Sequence, residues 1–145
     1  MLENKKDEEV YNLIKNIDWN DKIEIGLLEI QIDLVFKKCE FEKAIVCCEK
    51  YIKATDNNEE AYNILSVSYM NLGNFDTAKT WFINSIQKYP NSITLHYNLA
   101  ICYYMVKNYG NALKEIDKVI QIRQDDKYLN FRNDLLRLIK EASEE

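Results

Sequence analysis

Apolar residues recur at intervals of three and four residues along most of this chain, which is the spacing of one face of an α-helix. The clearest stripe consists of Tyr62, Leu65, Tyr69 and Leu72. A second stripe follows it and consists of Phe75, Ala78, Phe82 and Ile86. Gly73 lies between the stripes, where a helix can end in the left-handed conformation, and Pro90 stops the second helix. The pattern predicts two helices joined by a short turn.

The same kinds of residue return every 34 positions, which extends this prediction to most of the chain. Three series show the period: Ala44, Ala78 and Ala112; Phe41, Phe75 and Tyr109; and Val35, Tyr69 and Tyr103. A fixed period of this length is typical of stacked helix pairs in which each pair is one repeat. We therefore predict an all-α fold whose function is binding.

The stretch 59–92 resembles the tetratricopeptide repeat (TPR) family. The family pattern places aromatic, leucine, small, tyrosine, glycine, aromatic, alanine, phenylalanine, small and proline residues at set spacings. Those slots hold Tyr62, Leu65, Ser66, Tyr69, Gly73, Phe75, Ala78, Phe82, Ser85 and Pro90. The resemblance implies a right-handed α-solenoid of three helix hairpins, with an N-terminal helix and a C-terminal capping helix.

We interpret residues 1–145 as a single TPR domain. Its expected parts are an N-terminal helix (7–20), repeat 1 (25–58), repeat 2 (59–92), repeat 3 (93–126) and a capping helix (127–143). Repeat 3 has Lys107 and Gln124 in place of the glycine and the proline. Repeat 1 is the weakest copy, because Ile32 and Tyr51 replace small residues.

Both ends of the array have amphipathic stretches. The N-terminal stripe is Val10, Leu13, Ile14 and Ile17, and Asp21 with Glu24 resembles a capping box for the next helix. The C-terminal stripe is Tyr128, Phe131, Leu135, Leu138 and Ala142, and it is broadened by Leu129, Leu136 and Ile139. We expect this wide stripe to pack deeply against repeat 3. The alternative is that part of it contacts a second copy.

The resemblance also implies a binding groove, because the first helix of each TPR lines the concave side. The candidate partner-binding residues are Glu29, Asp33, Asn63, Val67, Met70, Tyr97, Ile101, Tyr104 and Met105, and Glu60 occupies a further inward slot. One end of this set is acidic and the other is aromatic and aliphatic. The alternative for Tyr104 and Met105 is packing against the terminal helix.

The leading hypothesis is a non-catalytic protein–protein interaction module that binds a peptide or partner helix in this groove. The alternative is a self-associating scaffold, such as a homodimer similar to secretion chaperones. A subset of the family grips the acidic C-terminal tail of heat-shock chaperones with a clamp of lysine, asparagine and arginine. Glu29 and Asp33 occupy the first-repeat clamp slots here, so we expect no binding of that tail.

Composition narrows the choice of function further. The net charge is −5 and no arginine precedes Arg123, so nucleic-acid binding is not expected. No long uncharged apolar stretch predicts a membrane helix. One histidine, His96, and the absence of a phosphate-binding loop or metal-ligand cluster predict no enzyme, cofactor or metal. The four cysteines lack CxxC spacing and are expected to be core thiols of a cytoplasmic protein.

Overall fold

The computed structural model describes residues 5–15, 25–55 and 58–145, which form eight α-helices and no β-strand. The helices are α1 (Lys5–Ile14), α2 (Ile25–Lys37), α3 (Phe41–Thr55), α4 (Glu59–Asn71), α5 (Phe75–Lys88), α6 (Ile93–Met105), α7 (Tyr109–Ile122) and α8 (Asp126–Ser143). The predicted all-α fold is therefore confirmed. In the described ranges, no helix combines the length and the apolar character that crossing a membrane would need.

The helices belong to two compact units, Met1–Gly73 and Asn74–Glu145. In the first unit, α2 packs against α3, α3 against α4, and both α1 and α4 contact α2. In the second unit, α5, α6, α7 and α8 each pack against the next helix in the chain. Short connections make such neighbours antiparallel, so each apolar stripe is buried by the helix beside it.

The turn between paired helices contains one residue in the left-handed conformation. Cys39, Gly73 and Lys107 have φ values of 58°, 80° and 60°, and they lie 34 residues apart. At the first and third turns, the next backbone N–H bonds to the carbonyl five residues earlier, at 2.9 Å. This is the longer hydrogen bond of a Schellman motif. The left-handed turn predicted at Gly73 is confirmed, and it persists at two positions that lack glycine.

Small residues let the paired helices of the second unit approach each other closely. Ala100 on α6 and Ala112 on α7 are completely buried in one cluster with Ile116, Val119 and Leu135. A larger side chain at either alanine would overpack this cluster, at a cost of about 1–3 kcal/mol. The 34-residue alanine series therefore marks a helix contact.

Polar side chains fix where several helices begin. Asn58, Ser92, Asn108 and Asp125 precede α4, α6, α7 and α8, and each accepts a hydrogen bond from a backbone N–H of the first turn. These N–H groups have no partner inside the helix, so the caps stabilise the starts. At the other end, α5 stops at Lys88, two residues before Pro90, as the sequence predicts.

The N-terminal helix is held by a residue outside its predicted apolar stripe. Tyr11 and Ile14 are buried, whereas Leu13 is 76% exposed. The Tyr11 hydroxyl lies 2.6 Å from both carboxylate oxygens of Glu40, and the Lys38 ammonium lies 4.0 Å from the Tyr11 ring centre. The predicted stripe residue Ile17 and the predicted capping box at Asp21 and Glu24 lie outside the described residues.

The C-terminal helix buries only part of its broad apolar surface. Tyr128 and Leu135 are buried against α7, but Leu129 and Leu136 are 37% and 40% exposed. The expectation that the whole stripe packs deeply is therefore wrong for these two leucines. They lie on a flank of α8 that its buried face leaves open.

Substitutions at the glycines test the left-handed turns. We expect Gly73→Ala to lower the free energy of unfolding by about 1–2 kcal/mol, because an L-residue is strained at positive φ. Gly110→Ala is the matched control, because Gly110 lies in α7 with open space around the position of a new Cβ. That change should raise stability by about 0.4–1 kcal/mol. Urea unfolding would measure both, and equal effects of the two substitutions would contradict the assignment.

Candidate functional site

An open cleft of about 190 Å³ lies within the first unit and contains both acidic residues of the predicted groove. We call it the acidic cleft. It is lined by Glu29, Ile32, Asp33, Tyr51, Asn58, Glu60, Ala61 and Ile64. Three helices therefore supply its walls: α2, α3 and α4. Its floor is apolar and its rim carries three carboxylates.

Helical spacing places Glu29 and Asp33 together. They lie four residues apart on α2, so they project from one side of the helix on successive turns. The opposite side of α2 carries Leu28 and Val35, which are buried. Because that burial fixes the rotation of α2, the two acids must face the cleft.

A hydrogen-bond chain holds the Glu29 carboxylate in place. The Asn58 side chain caps α4 by accepting a bond of 3.0 Å from the Ala61 N–H. Its amide nitrogen lies 3.2 Å from the Tyr51 hydroxyl, which in turn donates to Glu29. The bond to Glu29 and burial together raise the pKa of Tyr51. The chain links α2, α3 and the start of α4 around one carboxylate.

The third carboxylate makes the cleft electrostatically unfavourable when it is empty of cations. Burial raises the pKa of Glu60 above its usual range, and the neighbouring carboxylates of Glu59 and Asp33 raise it further. Lys37 lies 2.9 Å from Asp33, but both side chains are exposed and such a pair is weak. The cleft thus has the charge that favours a positively charged group.

Two further surfaces adjoin these acids within the first unit. Glu29 and Asp33 also line a second cleft between α1 and α2, where Lys6, Asp7 and Val10 come from α1. The predicted residues Asn63, Val67 and Met70 lie on α4 and are half-buried. The acidic and the middle parts of the predicted groove therefore belong to neighbouring helices, α2 and α4.

The aromatic part of the prediction lies in the second unit, where α6 contacts α8. The Tyr97 ring lies 5.3 Å from the Tyr128 ring and 6.1 Å from the Phe131 ring, measured between centroids. The Tyr104 ring lies 5.8 Å from the Phe131 ring. We call Tyr97, Ile101, Tyr104, Met105 and Phe131 the aromatic patch.

The residues of the aromatic patch differ in what they offer a partner. Tyr104 packs on the terminal helix, as the alternative prediction had it, yet it remains 40% exposed. Met105 is 55% exposed, whereas Tyr97 and Ile101 are half-buried. The Lys127 ammonium lies 4.3 Å from the Tyr97 ring centre, which covers that ring further. Tyr104 and Met105 are therefore the most accessible members.

Sequence reasoning did not identify two residues of the acidic cleft. Tyr51 stood out only as a large residue in a small slot, and Asn58 stood out not at all. The signal for Tyr51 was present, since a buried hydroxyl needs a hydrogen-bond partner. Its partner could be found only once α2 and α3 were placed side by side.

The single histidine serves the packing of α6 and α7. His96 is 3% exposed, and its two ring nitrogens lie 2.6 Å from Glu115 and 2.9 Å from the Pro90 carbonyl. Both partners are acceptors, so the protonated imidazole satisfies both. The bond to Glu115 raises the pKa of His96, and the Pro90 bond adds to this against burial.

The carboxylate partner of His96 is shifted in the opposite direction. Burial acts to raise the pKa of Glu115, but hydrogen bonds from His96 and Lys118 outweigh it, and the pKa lies below its usual range. The three groups therefore form a charged network between α6 and α7.

The cysteines have little chemistry to offer. Cys47, Cys48 and Cys102 are buried and unpaired, and burial raises the pKa of all three, to about 11 for Cys102. Such thiols are poor nucleophiles at neutral pH. Within the described ranges, no group of three or more histidine, cysteine, aspartate or glutamate side chains could hold a metal ion.

Sequence comparisons place the chain among known repeat proteins. A family model described as anaphase-promoting complex, cyclosome, subunit 3, matches residues 37–119, more than half of the chain. The uncharacterized protein ycf37 of Pyropia yezoensis is 30% identical over 109 residues, which cover 69% of this chain and 61% of the relative. The chain thus spans less than two thirds of that relative.

Solved structures with the same fold include TPR domains. The first TPR domain of human RPAP3 matches with a TM-score of 0.75 and 14% identity, over 83% of this chain and 95% of that domain. The first TPR of Spaghetti (RPAP3), bound to the HSP90 peptide SRMEEVD, matches with a TM-score of 0.74 and 14% identity, over 83% and 99%. The TPR resemblance is confirmed.

The His96 network predicts a stability that depends on pH. A raised pKa in the folded state means that His96 stabilises the fold below about pH 6.5 and loses this effect as pH rises through the folded value. A lowered pKa means that Glu115 contributes above about pH 4.5 and loses its effect as pH falls. Unfolding by urea at several pH values should show greatest stability from this network between these limits.

The matched variant is His96→Gln, which keeps a polar side chain of similar length but cannot titrate. It should remove the fall in unfolding free energy above pH 6.5. If the variant and the parent protein show the same pH dependence there, His96 does not bind its proton more tightly in the folded state.

Proposed function

This chain belongs to the family described as anaphase-promoting complex, cyclosome, subunit 3, which is of tetratricopeptide repeat type, and on that premise we propose that it is a non-catalytic protein-interaction module. It binds an extended peptide or a partner helix through the inward slots of its first helices. The observation that carries this proposal is the acidic cleft, where three carboxylates surround a small apolar floor.

The chemistry of the acidic cleft selects a basic residue of the partner. Glu29 is oriented by Tyr51, and the raised pKa of Glu60 reflects burial and the carboxylates of Glu59 and Asp33. A lysine or arginine side chain would relieve this repulsion and form charge-assisted hydrogen bonds with the rim. Its aliphatic stem would lie against Ile32 and Ile64.

The aromatic patch supplies a second kind of contact. Tyr104 and Met105 are exposed, and both are residue types that are enriched where proteins bind one another. Methionine adapts its shape to different partners, and tyrosine offers a large surface at a low entropic cost. An apolar side chain of the partner would contact this patch.

A non-catalytic role agrees with the surroundings of the reactive residues. Both nitrogens of His96 hold the fold together, and the buried thiols are poor nucleophiles. Three buried free thiols are also typical of a protein that works in a reducing compartment such as the cytoplasm.

Peptide selection followed by charge removal tests the acidic cleft. We expect short peptides selected by phage display against this chain to carry lysine or arginine beside apolar residues. Glu29→Gln and Asp33→Asn should each lower the affinity of a selected peptide about tenfold, or ~1.4 kcal/mol, by calorimetry. The affinity should also fall as salt rises.

Asp76→Asn is the matched control for charge removal. Asp76 lies on α5, its side chain is 98% exposed and it is paired with Lys79, outside the acidic cleft. This variant should bind the selected peptide as the parent protein does. Equal losses in all three variants would mean that only net charge matters, and no loss in any of them would exclude the acidic cleft as the binding site.

The chaperone tail provides a negative prediction. The peptide SRMEEVD is bound by the structurally similar TPR of Spaghetti. Its C-terminal carboxylates would meet Glu29 and Asp33 here, so we expect no measurable binding by calorimetry in the micromolar range. Binding of SRMEEVD that survives Glu29→Gln unchanged would show that a different surface takes acidic ligands.

A further inference from the structure

The last helix repeats the arrangement of α6. Helix α8 begins 33 residues after α6, so Leu95 and Cys102 on α6 correspond to Tyr128 and Leu135 on α8. All four residues are buried. Cys102 faces the helix before it, since its thiol lies 3.7 Å from the Phe75 carbonyl at the start of α5. Tyr128 and Leu135 likewise face α7, the helix before α8.

The two helices differ on their second face. In α6, this face carries His96, Leu99 and Ala100, and it is buried against α7. The same offset leads to Leu129, Arg132 and Asn133 on α8, and Leu136 continues that face. Leu129 and Leu136 are 37% and 40% exposed, since no helix of the described chain covers them. We call Leu129, Asn133 and Leu136 the α8 stripe.

We propose that the α8 stripe packs against the α8 stripe of a second copy, with the two helices antiparallel. This arrangement places Leu129 opposite Leu136 of the second copy, and the two-fold symmetry creates that contact twice. The stripe is apolar at the same two points that meet, so it is complementary to itself. The proposal concerns a surface other than the acidic cleft and does not depend on it.

Charge at the ends of α8 favours a second copy as the occupant. Pairing Leu129 with Leu136 brings Asp126 beside Lys140 of the second copy, and this contact also forms twice. Within the described ranges, neither Asp126 nor Lys140 has an ion-pair partner. The other cations of α8 are already engaged: Lys127 on Tyr97, Arg132 with Asp117 and Arg137 with Glu141. Antiparallel helix dipoles add to the attraction.

Association through one pair of helices should be weak. A helix of 18 residues is about 27 Å long, which limits the contact to the small end of specific interfaces. We therefore expect a monomer in dilute solution and a dimer in concentrated solution. Sedimentation equilibrium should show the average mass rise from 17.2 kDa toward 34.4 kDa, twice the chain mass, as concentration increases.

Substitution of the leucines tests the apolar contact. Leu129→Ser combined with Leu136→Ser should hold the mass near 17.2 kDa at all concentrations. Ile83→Ser is the matched control, because Ile83 on α5 is 41% exposed and lies outside the α8 stripe. It should dimerise as the parent protein does. Circular dichroism would verify that each variant remains helical.

A charge exchange tests the antiparallel register. Asp126→Lys alone and Lys140→Asp alone each place like charges together, so both should weaken the dimer. The double variant restores opposite charges across the contact and should restore dimerisation. A parent protein that stays at 17.2 kDa at high concentration would overturn the proposal. A dimer that tolerates the serine variant, or a double variant weaker than both single ones, would overturn it as well.

Discussion

Every helix pair in this protein depends on a turn of fixed geometry that brings two apolar faces together. One residue in the left-handed conformation reverses the chain, and the same position adopts it at Cys39, Gly73 and Lys107. Only the middle turn has glycine, where this conformation is free of strain. The other two persist because burial of the helices they connect outweighs a local cost of about 1–2 kcal/mol.

The candidate site is a consequence of that packing. Burial of one face of α2 leaves Glu29 and Asp33 on the opposite face, and the start of α4 brings Asn58 and Glu60 to them. Asn58 has two roles, since it caps α4 and extends the chain of hydrogen bonds to Glu29 through Tyr51. The same contacts that stabilise the first unit therefore concentrate negative charge on its surface.

The sequence predicted the helices well because each depends on local spacing, and it predicted the turns because the 34-residue period marks them. It placed Glu29 and Asp33 together for the same reason, as both lie on one helix. It did not predict the role of Tyr51 or the exposure of Leu129, because these depend on which helix lies opposite. Periodicity shows that a residue is apolar and in phase, but not whether a neighbouring helix covers it.

The central claim is that the faces left open by helix packing on α2, α4 and α6 bind a partner peptide. Nuclear magnetic resonance of the labelled protein, titrated with a selected peptide, tests it most directly. We predict that the largest shift changes fall on Glu29, Asp33 and Asn63 in the first unit and on Tyr104 and Met105 in the second. Changes confined to the outer faces of α3, α5 and α7 would contradict the account.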